Sequence, residues 1–158
     1  MKIHNLRFFF APITILCVGI FQPAQAQFVA ATNANGNNGV GHSICFLDAN
    51  TGFVAGEALG KGVIQKTTDG AQTWVNVYTS TANSEWVNDI FFVSSLKGYA
   101  VGVSGSILKT TDGGANWSRQ TVANVSEFKA VYFSSPLIGY AVGDGTKARC
   151  ECVYRQYR

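Results

Sequence analysis

A short segment that occurs twice is the feature that most constrains the fold of this chain. Thr67–Trp74 reads TTDGAQTW and Thr110–Trp117 reads TTDGGANW, so the two copies lie 43 residues apart. The segments before them repeat as well, since TGFVAG at 51–56 corresponds to KGYAVG at 97–102 and to IGYAVG at 138–143. A period of about 40 residues is typical of architectures in which each repeat is one supersecondary unit. We therefore interpret the chain as an array of similar units.

Each complete unit divides into four short runs that have the composition of β-strands. The runs are CFLD, GFVAG, VIQKT and TWVNVYT in the first unit, and IFFVS, GYAVG, SILKT and NWSRQTV in the second. Runs that are rich in β-branched and aromatic residues and bounded by Gly, Asn or Asp indicate strands and hairpins. Four antiparallel strands in about 40–45 residues are typical of a β-propeller blade. The sequence thus predicts an all-β, partial β-propeller with two full units and a half unit.

The repeated turn has a mechanical explanation. Its residues are Thr67, Asp69, Gly70 and Trp74 in the first copy and Thr110, Asp112, Gly113 and Trp117 in the second. An Asp side chain accepts hydrogen bonds from backbone N–H groups just ahead of it, and Gly adopts the positive φ that such turns require. We expect each Trp to begin the fourth strand, to cover the hairpin and to fill space beside the next blade. These residues are predicted to be structural and not catalytic.

The N-terminus has the pattern of a secretory signal. Lys2 and Arg7 precede the apolar run Phe8–Phe21, and Ala24-Gln25-Ala26 has the small-x-small pattern of a cleavage site. We expect cleavage after Ala26, hence residues 1–26 as a signal peptide and a periplasmic or extracellular protein. The alternative is a membrane anchor, but the apolar run is shorter than the ~20 residues that a spanning helix needs.

The remaining boundaries follow from composition and from the end of the repeat. Residues 27–43 are predicted to be an Asn/Gly-rich linker, residues 44–144 the propeller array and residues 145–158 a divergent basic tail. Two explanations of the tail stay open: a truncated or frame-shifted product, which we favour, or a complete chain that pairs with other copies through open sheet edges.

Charge and cysteine content narrow the function classes. Lys and Arg outnumber Asp and Glu by 12 to 9, but the excess lies at the two ends, so no basic stripe marks the array and nucleic-acid binding is not predicted. After the signal sequence only Cys45, Cys150 and Cys152 remain, an odd number without the spacing of a disulfide framework. Cys45 is predicted to be a small core residue. A metal site or an intermolecular bond at Cys150 and Cys152 is an open, less favoured interpretation, and no cofactor is predicted.

The repeated segments resemble a known motif. TTDGAQTW and TTDGGANW are similar to the Asp-box, or BNR repeat, S/T-x-D-x-G-x-T-W, with Ala71 in place of Gly and Asn116 in place of Thr. The longer pattern, over about Ile44–Asp144, resembles propellers related to the photosystem II stability/assembly factor. This resemblance implies a non-catalytic binding or assembly module with an unknown protein or glycan partner. Asp-boxes also occur in sialidases and some endoglucanases, which implies an alternative, a fragment of a carbohydrate-active enzyme. A sialidase site needs an arginine cluster, whereas Arg119 is the only Arg in the array.

Three residues are candidates for ligand contact because propeller ligands usually meet the loops after strand two and after strand four. Glu57 and Asp144 follow equivalent glycines in different units, and Trp86 is a large aromatic residue near such a loop. A carboxylate pair across a pocket is the arrangement that hydrolyses glycosides. We favour the simpler interpretation that both carboxylates are solvated, and we predict no catalytic residue. Trp86 is expected either to stack on a ligand or to begin the next strand.

Overall fold

The computed structural model describes residues 39–145 and the backbone of residues 151–156. Across these ranges no helix is present that would be long and apolar enough to cross a bilayer. The described residues form eleven strands: β1 Gly39–Phe46, β2 Gly52–Ala58, β3 Lys61–Thr67, β4 Val75–Thr79, β5 Val87–Phe92, β6 Gly98–Gly102, β7 Ser106–Thr110, β8 Ser118–Thr121, β9 Val125–Ser135, β10 Ile138–Gly145 and β11 Glu151–Gln156. The predicted signal peptide and the side chains of Cys150 and Cys152 lie outside the described residues.

The strands form three antiparallel sheets, each built from consecutive strands. Sheet 1 has the order β1-β2-β3-β4, sheet 2 has the order β5-β6-β7-β8, and sheet 3 has the order β11-β10-β9. The two four-stranded sheets coincide with the two complete sequence units. The prediction of an all-β, partial propeller with two full units and an incomplete third one is confirmed.

A glycine in each second strand makes room for an aromatic ring of the first strand. Gly98 lies opposite Phe92, and a Cβ atom at Gly98 would lie 2.7 Å from that ring. In sheet 3 a Cβ atom at Gly139 would lie 2.4 Å from the ring of Phe133. The repeated Gly-aromatic pair of the sequence is therefore a packing requirement within each sheet.

The core consists of two apolar layers, one between each pair of neighbouring sheets. Between sheets 1 and 2, Phe53 stacks on Phe92 with 4.4 Å between the ring centroids. Between sheets 2 and 3, Tyr99 stacks on Phe133 at 4.3 Å. Because Phe53 is fully buried and Tyr99 is 7% exposed, the aromatic residue of each second strand holds the next sheet in place.

One carboxylate connects all three sheets. Asp89 on β5 accepts a hydrogen bond from the Ser43 hydroxyl of sheet 1 at 2.6 Å and from the backbone N–H of Val131 of sheet 3 at 2.8 Å. A charged acceptor strengthens hydrogen bonds of this kind. The first strands of the three sheets are thus joined side by side through Asp89.

Two boundaries differ from those predicted. Strand β1 begins at Gly39, five residues before the expected start of the array, because 39–41 pair with 56–58 of β2 through the backbone, which does not depend on apolar side chains. Strand β11 pairs with 139–144 of β10, so residues 151–156 of the expected tail are part of sheet 3.

Candidate functional site

The first Asp-box turn is held by one carboxylate and one hydroxyl. Asp69 Oδ1 accepts hydrogen bonds from the Thr67 hydroxyl at 2.7 Å and from the Thr73 N–H at 2.9 Å, and its Oδ2 accepts one from the Thr73 hydroxyl at 2.6 Å. The Thr67 oxygen in turn accepts the N–H of Ala71 at 3.1 Å. These hydrogen bonds favour the ionised carboxylate, and with the Thr73 hydroxyl as the main cause they lower the pKa of Asp69 to about 2.

The second Asp-box turn repeats this geometry. Asp112 accepts hydrogen bonds from the Asn116 N–H at 2.9 Å, the Asn116 side chain at 2.8 Å and the Thr110 hydroxyl at 2.8 Å. Asn116 therefore replaces Thr73 without loss of a donor, and its backbone N–H is the main cause that lowers the pKa of Asp112 to about 2. Gly70 and Gly113 both have φ of +70°. The carboxylates are engaged with their own turns.

The Trp side chains lie differently from the expectation. Trp74 packs edge-on against Phe46 of its own sheet, and Trp117 packs edge-on against Phe92, with centroid distances of 6.2 and 6.0 Å. Trp117 contributes to the layer between sheets 1 and 2, so it faces the preceding unit and not the next one. Both residues come just before the fourth strand, which begins at Val75 or at 118.

Six residues, of which four have polar or charged side chains, lie at one end of sheets 2 and 3. We call it the rim and define it as Trp86, Asn88, Val103, Glu127, Lys129 and Asp144. The N–H of Val103 donates to the Trp86 carbonyl at 3.0 Å, and Val103 forms an isolated bridge with Glu127. Glu127 is also paired in register with Asp144. The rim is therefore continuous across the two sheets.

Bulges in the first strands of sheets 2 and 3 supply two polar side chains of the rim, those of Asn88 and Lys129. The register shifts between Val87 and Asp89, which leaves Asn88 as the extra residue, and its amide donates to Glu127 Oε1 at 2.9 Å and to the Phe128 carbonyl at 2.7 Å. A bulge re-aims a side chain in this way and is frequent at functional edges of sheets. The bulge also brings backbones close together, because a Cβ atom at Gly102 would lie 1.9 Å from the Trp86 oxygen.

The charges of the rim are arranged around one ammonium group. Lys129 Nζ lies 2.6 Å from Glu127 Oε2 and 3.7 Å from Asp144 Oδ2, and the hydrogen bond to Glu127 is the main cause that raises the pKa of Lys129. The Asp144 side chain is 68% exposed, whereas that of Glu127 is 26% exposed. Asp144 is thus the more accessible acceptor for an incoming ligand.

Two of the three predicted ligand residues lie on the rim, connected through the backbone pairing of Val103 and Glu127. Trp86, which is 38% exposed and directly precedes β5, lies on the same rim as Asp144. Glu57 lies at the equivalent end of sheet 1, where it is paired with Val40. Glu57 and Asp144 were expected in loops, but they lie inside β2 and β10, because backbone pairing continues past the glycine that was taken as the strand end.

Sequence reasoning missed Asn88 and Lys129. A signal for them was present, since a polar residue recurs at the same place in each first strand, as His42, Asn88 and Lys129. His42 Nδ1 lies 3.1 Å from the Val87 carbonyl of the next sheet, and the Asn88 amide donates in the same way to the Phe128 carbonyl at 2.7 Å.

Two other features of the molecule do not form a site. A shallow cleft of about 340 Å³ lies beside the second Asp-box turn and is lined by Lys109, Asp112 and Trp117 among others. Its carboxylate already accepts the hydrogen bonds of the turn. In the described part of the chain, no group of three or more His, Cys, Asp and Glu side chains is placed to hold a metal ion. Cys45 is half-buried, and burial raises the pKa of its thiol.

Stacked antiparallel sheets with an Asp-box turn between the third and fourth strands define an Asp-box β-propeller array. Residues 77–145 match the family model described as photosynthesis system II assembly factor YCF48. The resemblance inferred from the repeats is confirmed for this part of the chain.

Two solved structures are similar to the chain. One, described as YCF48 bound to D1 peptide, is 22% identical with a TM-score of 0.62, over 77% of this chain and 38% of that one. The other, YCF48 from Cyanidioschyzon merolae, is 21% identical with a TM-score of 0.57, over 77% of this chain and 35% of that one. The chain thus spans little more than a third of these structures, and the similarity shows the fold. A comparison with curated proteins gives no match.

Proposed function

We propose that this protein is a non-catalytic module that binds an exposed segment of a partner protein, with the rim as the contact surface. The observation that carries the proposal is the similarity in fold to a YCF48 structure whose description names a bound peptide. A shared fold alone does not define a function, so the argument also needs a surface of suitable chemistry. The rim supplies that surface.

The rim combines an aromatic contact with charged groups. Trp86 is 38% exposed, and an indole suits an aromatic, aliphatic or cationic side chain of a peptide. Asp144 is exposed and lies farther from Lys129 than Glu127 does, so it is the better acceptor for a Lys or Arg of the partner. We therefore expect the bound segment to carry a basic residue next to an apolar one.

The arrangement of the acidic and basic residues supports binding over catalysis. Glu57 and Asp144 lie in sheets 1 and 3, with sheet 2 between them, and do not form the facing pair that glycoside hydrolysis needs. Arg119 forms an ion pair with Glu85 at 2.7 Å. The carbohydrate-active alternative predicts hydrolysis of sialosides or β-glucans, and we expect none.

Export is part of the proposal and is supported by the sequence of residues 1–26. The expected mature N-terminus is Gln27, which intact-mass measurement of the protein from the periplasm or medium would detect. An intact Met1 on a protein that stays in the cytoplasm would contradict it.

Peptide display on the purified chain tests the binding function. The most enriched peptide would be synthesised with a fluorophore, and its Kd measured by anisotropy. We expect Trp86→Ala to raise the Kd about tenfold, which corresponds to about 1.4 kcal/mol, within the range of a stacked contact at an interface. Asp144→Asn should raise it less, and the effect should shrink in high salt.

Leu137→Ala is the matched control, because Leu137 is 56% exposed but lies at the β9–β10 hairpin, at the other end of sheet 3. Its Kd should equal that of the wild type. If no peptide is enriched above an empty support, or if the rim variants bind as the wild type does, the proposal is wrong.

A further inference from the structure

The two interfaces inside the molecule follow one rule. An aliphatic residue and a phenylalanine of each first strand pack against the second strand of the preceding sheet. Between sheets 1 and 2 these residues are Ile90 and Phe92, and between sheets 2 and 3 they are Val131 and Phe133. The same positions in sheet 1 are held by Ile44 and Phe46, which have the same register with their second strand.

Exposure shows that this part of sheet 1 has the form of an interface, and no sheet in the described part of the chain covers it. Ile44 is 57% exposed, whereas Ile90 and Val131 are 4% and 8% exposed. Phe46 is 43% exposed, whereas Phe133 is 8% exposed. We call the surface of Ile44 and Phe46 the leading face. Large apolar side chains that recur at buried positions elsewhere in the array mark an interaction surface.

Sheet 3 carries the complementary surface. Val142 is 43% exposed, although its equivalents Ala55 and Val101 are 0% and 1% exposed beneath the next sheet. Tyr132 occupies the position of Phe91, whose ring stacks on Phe133 at 5.9 Å, and it is 61% exposed although its ring also meets that of Phe91 edge-on at 5.4 Å. We call the surface of Tyr132 and Val142 the trailing face. In sheets 1 and 2 the corresponding surface is covered by the next sheet, whereas in sheet 3 it is exposed to solvent.

A polar contact supports the same alignment. At both internal interfaces the bulged residue of the first strand reaches a carbonyl of the next sheet, His42 to Val87 and Asn88 to Phe128. Lys129 occupies this position in sheet 3. Its ammonium group has three N–H donors, of which one is directed to Glu127, so a donor remains for the equivalent carbonyl, that of Gly41, in a sheet placed against the trailing face.

We propose that two copies of this chain associate head to tail, with the leading face of one copy packed on the trailing face of the other. The contact is face to face, as between neighbouring sheets, and therefore differs from the pairing of open sheet edges. Because it joins two different surfaces, it produces either a closed ring or an open chain of copies. The inference does not depend on Trp86 or Asp144, which carry the proposed peptide binding.

One residue makes the intermolecular contact weaker than the internal ones. Gly114 presses on Phe53 of the preceding sheet, and a Cβ atom there would lie 2.4 Å from that ring. Its equivalent in sheet 1 is Ala71, which has a φ of +70° and carries this Cβ atom. A docked copy must shift away from Ala71, so Ala71→Gly should tighten the association.

The test uses light scattering on the purified full chain, with one variant for each face. Ile44→Glu disrupts the leading face and Val142→Glu disrupts the trailing face, so each variant alone should have the mass of one chain. An equimolar mixture should form dimers, because one intact face of each kind remains. Leu96→Glu, at a site that is 60% exposed in the β5–β6 turn, is the control and should associate as the wild type does.

The readouts separate association from misfolding. Circular dichroism should show the wild-type strand signal in every variant, and the mixture restores dimers only from folded chains. Ala71→Gly should lower the dissociation constant several-fold. If the wild-type chain has the mass of a monomer both at high concentration and after 100-fold dilution, the proposal is wrong. The proposal would also be wrong if the mixture of the two variants kept the mass of one chain and Ala71→Gly did not lower the dissociation constant.

Discussion

Replacing Phe53 by Ala should remove a large part of the stability of this protein. Phe53 is fully buried between sheets 1 and 2, where its ring stacks on Phe92 at 4.4 Å. The Lys66 ammonium lies 5.5 Å from the ring centroid, and Gly114 lies against the ring edge. The substitution therefore empties the centre of the layer that joins the two complete sheets.

The magnitude follows from burial and from the aromatic contact. A buried Phe→Ala substitution costs about 3–5 kcal/mol, because it loses the transfer free energy of the ring and leaves a cavity. The stacked pair contributes about 0.5–1.5 kcal/mol beyond its buried area. Since domains of this size are stable by about 5–15 kcal/mol, we expect the variant to lose at least about a fifth of its free energy of unfolding.

Urea unfolding followed by circular dichroism and by tryptophan fluorescence measures this loss. The control is Val75→Ala, since Val75 is 64% exposed on an outer strand and should change the free energy of unfolding by less than about 0.5 kcal/mol. A double-mutant cycle with Phe92→Ala should give a coupling free energy of about 0.5–3 kcal/mol. If Phe53→Ala unfolds at the same urea concentration as Val75→Ala, the sheets are not held together by this layer.

Three further outcomes are expected. Gly102→Ala should destabilise the protein by about 3 kcal/mol or more, because its Cβ atom would lie 1.9 Å from a backbone oxygen. Gly60 has open space around it, so Gly60→Ala should cost about 1 kcal/mol for its positive φ alone. Equal urea midpoints of the two variants would contradict this difference. The Asp-box aspartates have a pKa lowered from 3.8 to about 2, so the stability they contribute is complete above about pH 4 and is lost as the pH falls towards 2. Replacing both by Asn should therefore make the melting temperature depend less on pH between pH 4 and 2. An unchanged dependence of the melting temperature on pH would refute the assignment. Trp74→Ala should cost about 3–5 kcal/mol, since Trp74 is 3% exposed, whereas Trp117→Ala should cost less because Trp117 is only half-buried. Calorimetry measures both, and an equal loss of stability in the two variants would contradict this difference in packing.

The Asp-box turns and the strand class were predictable because their interactions are local. Every hydrogen bond that Asp112 accepts comes from a residue within four positions along the chain, and the same holds for Asp69. A pattern of residue types over such a short distance is sufficient to specify them. The alternation of glycine with β-branched and aromatic residues likewise predicted the strands of both complete units.

The rim was not predictable in this way. It depends on a bulge at Asn88, on a bridge between Val103 and Glu127, and on the pairing of Glu127 with Asp144. Backbone pairing, and not residue type, also decided that Glu57 lies inside β2. A bulge shifts every following side chain by one place, and composition alone does not show where this happens.

The sequence by itself determined that the chain is an array of small antiparallel sheets, because each hairpin carries its own turn-forming and strand-forming residues. Only the tertiary structure decided which faces of the sheets meet, which way Trp117 points and which charged side chains share an edge. The physical reason is distance along the chain, since Asp89 joins Ser43 and Val131 across more than 40 residues on either side. Such contacts exist only once neighbouring sheets have stacked.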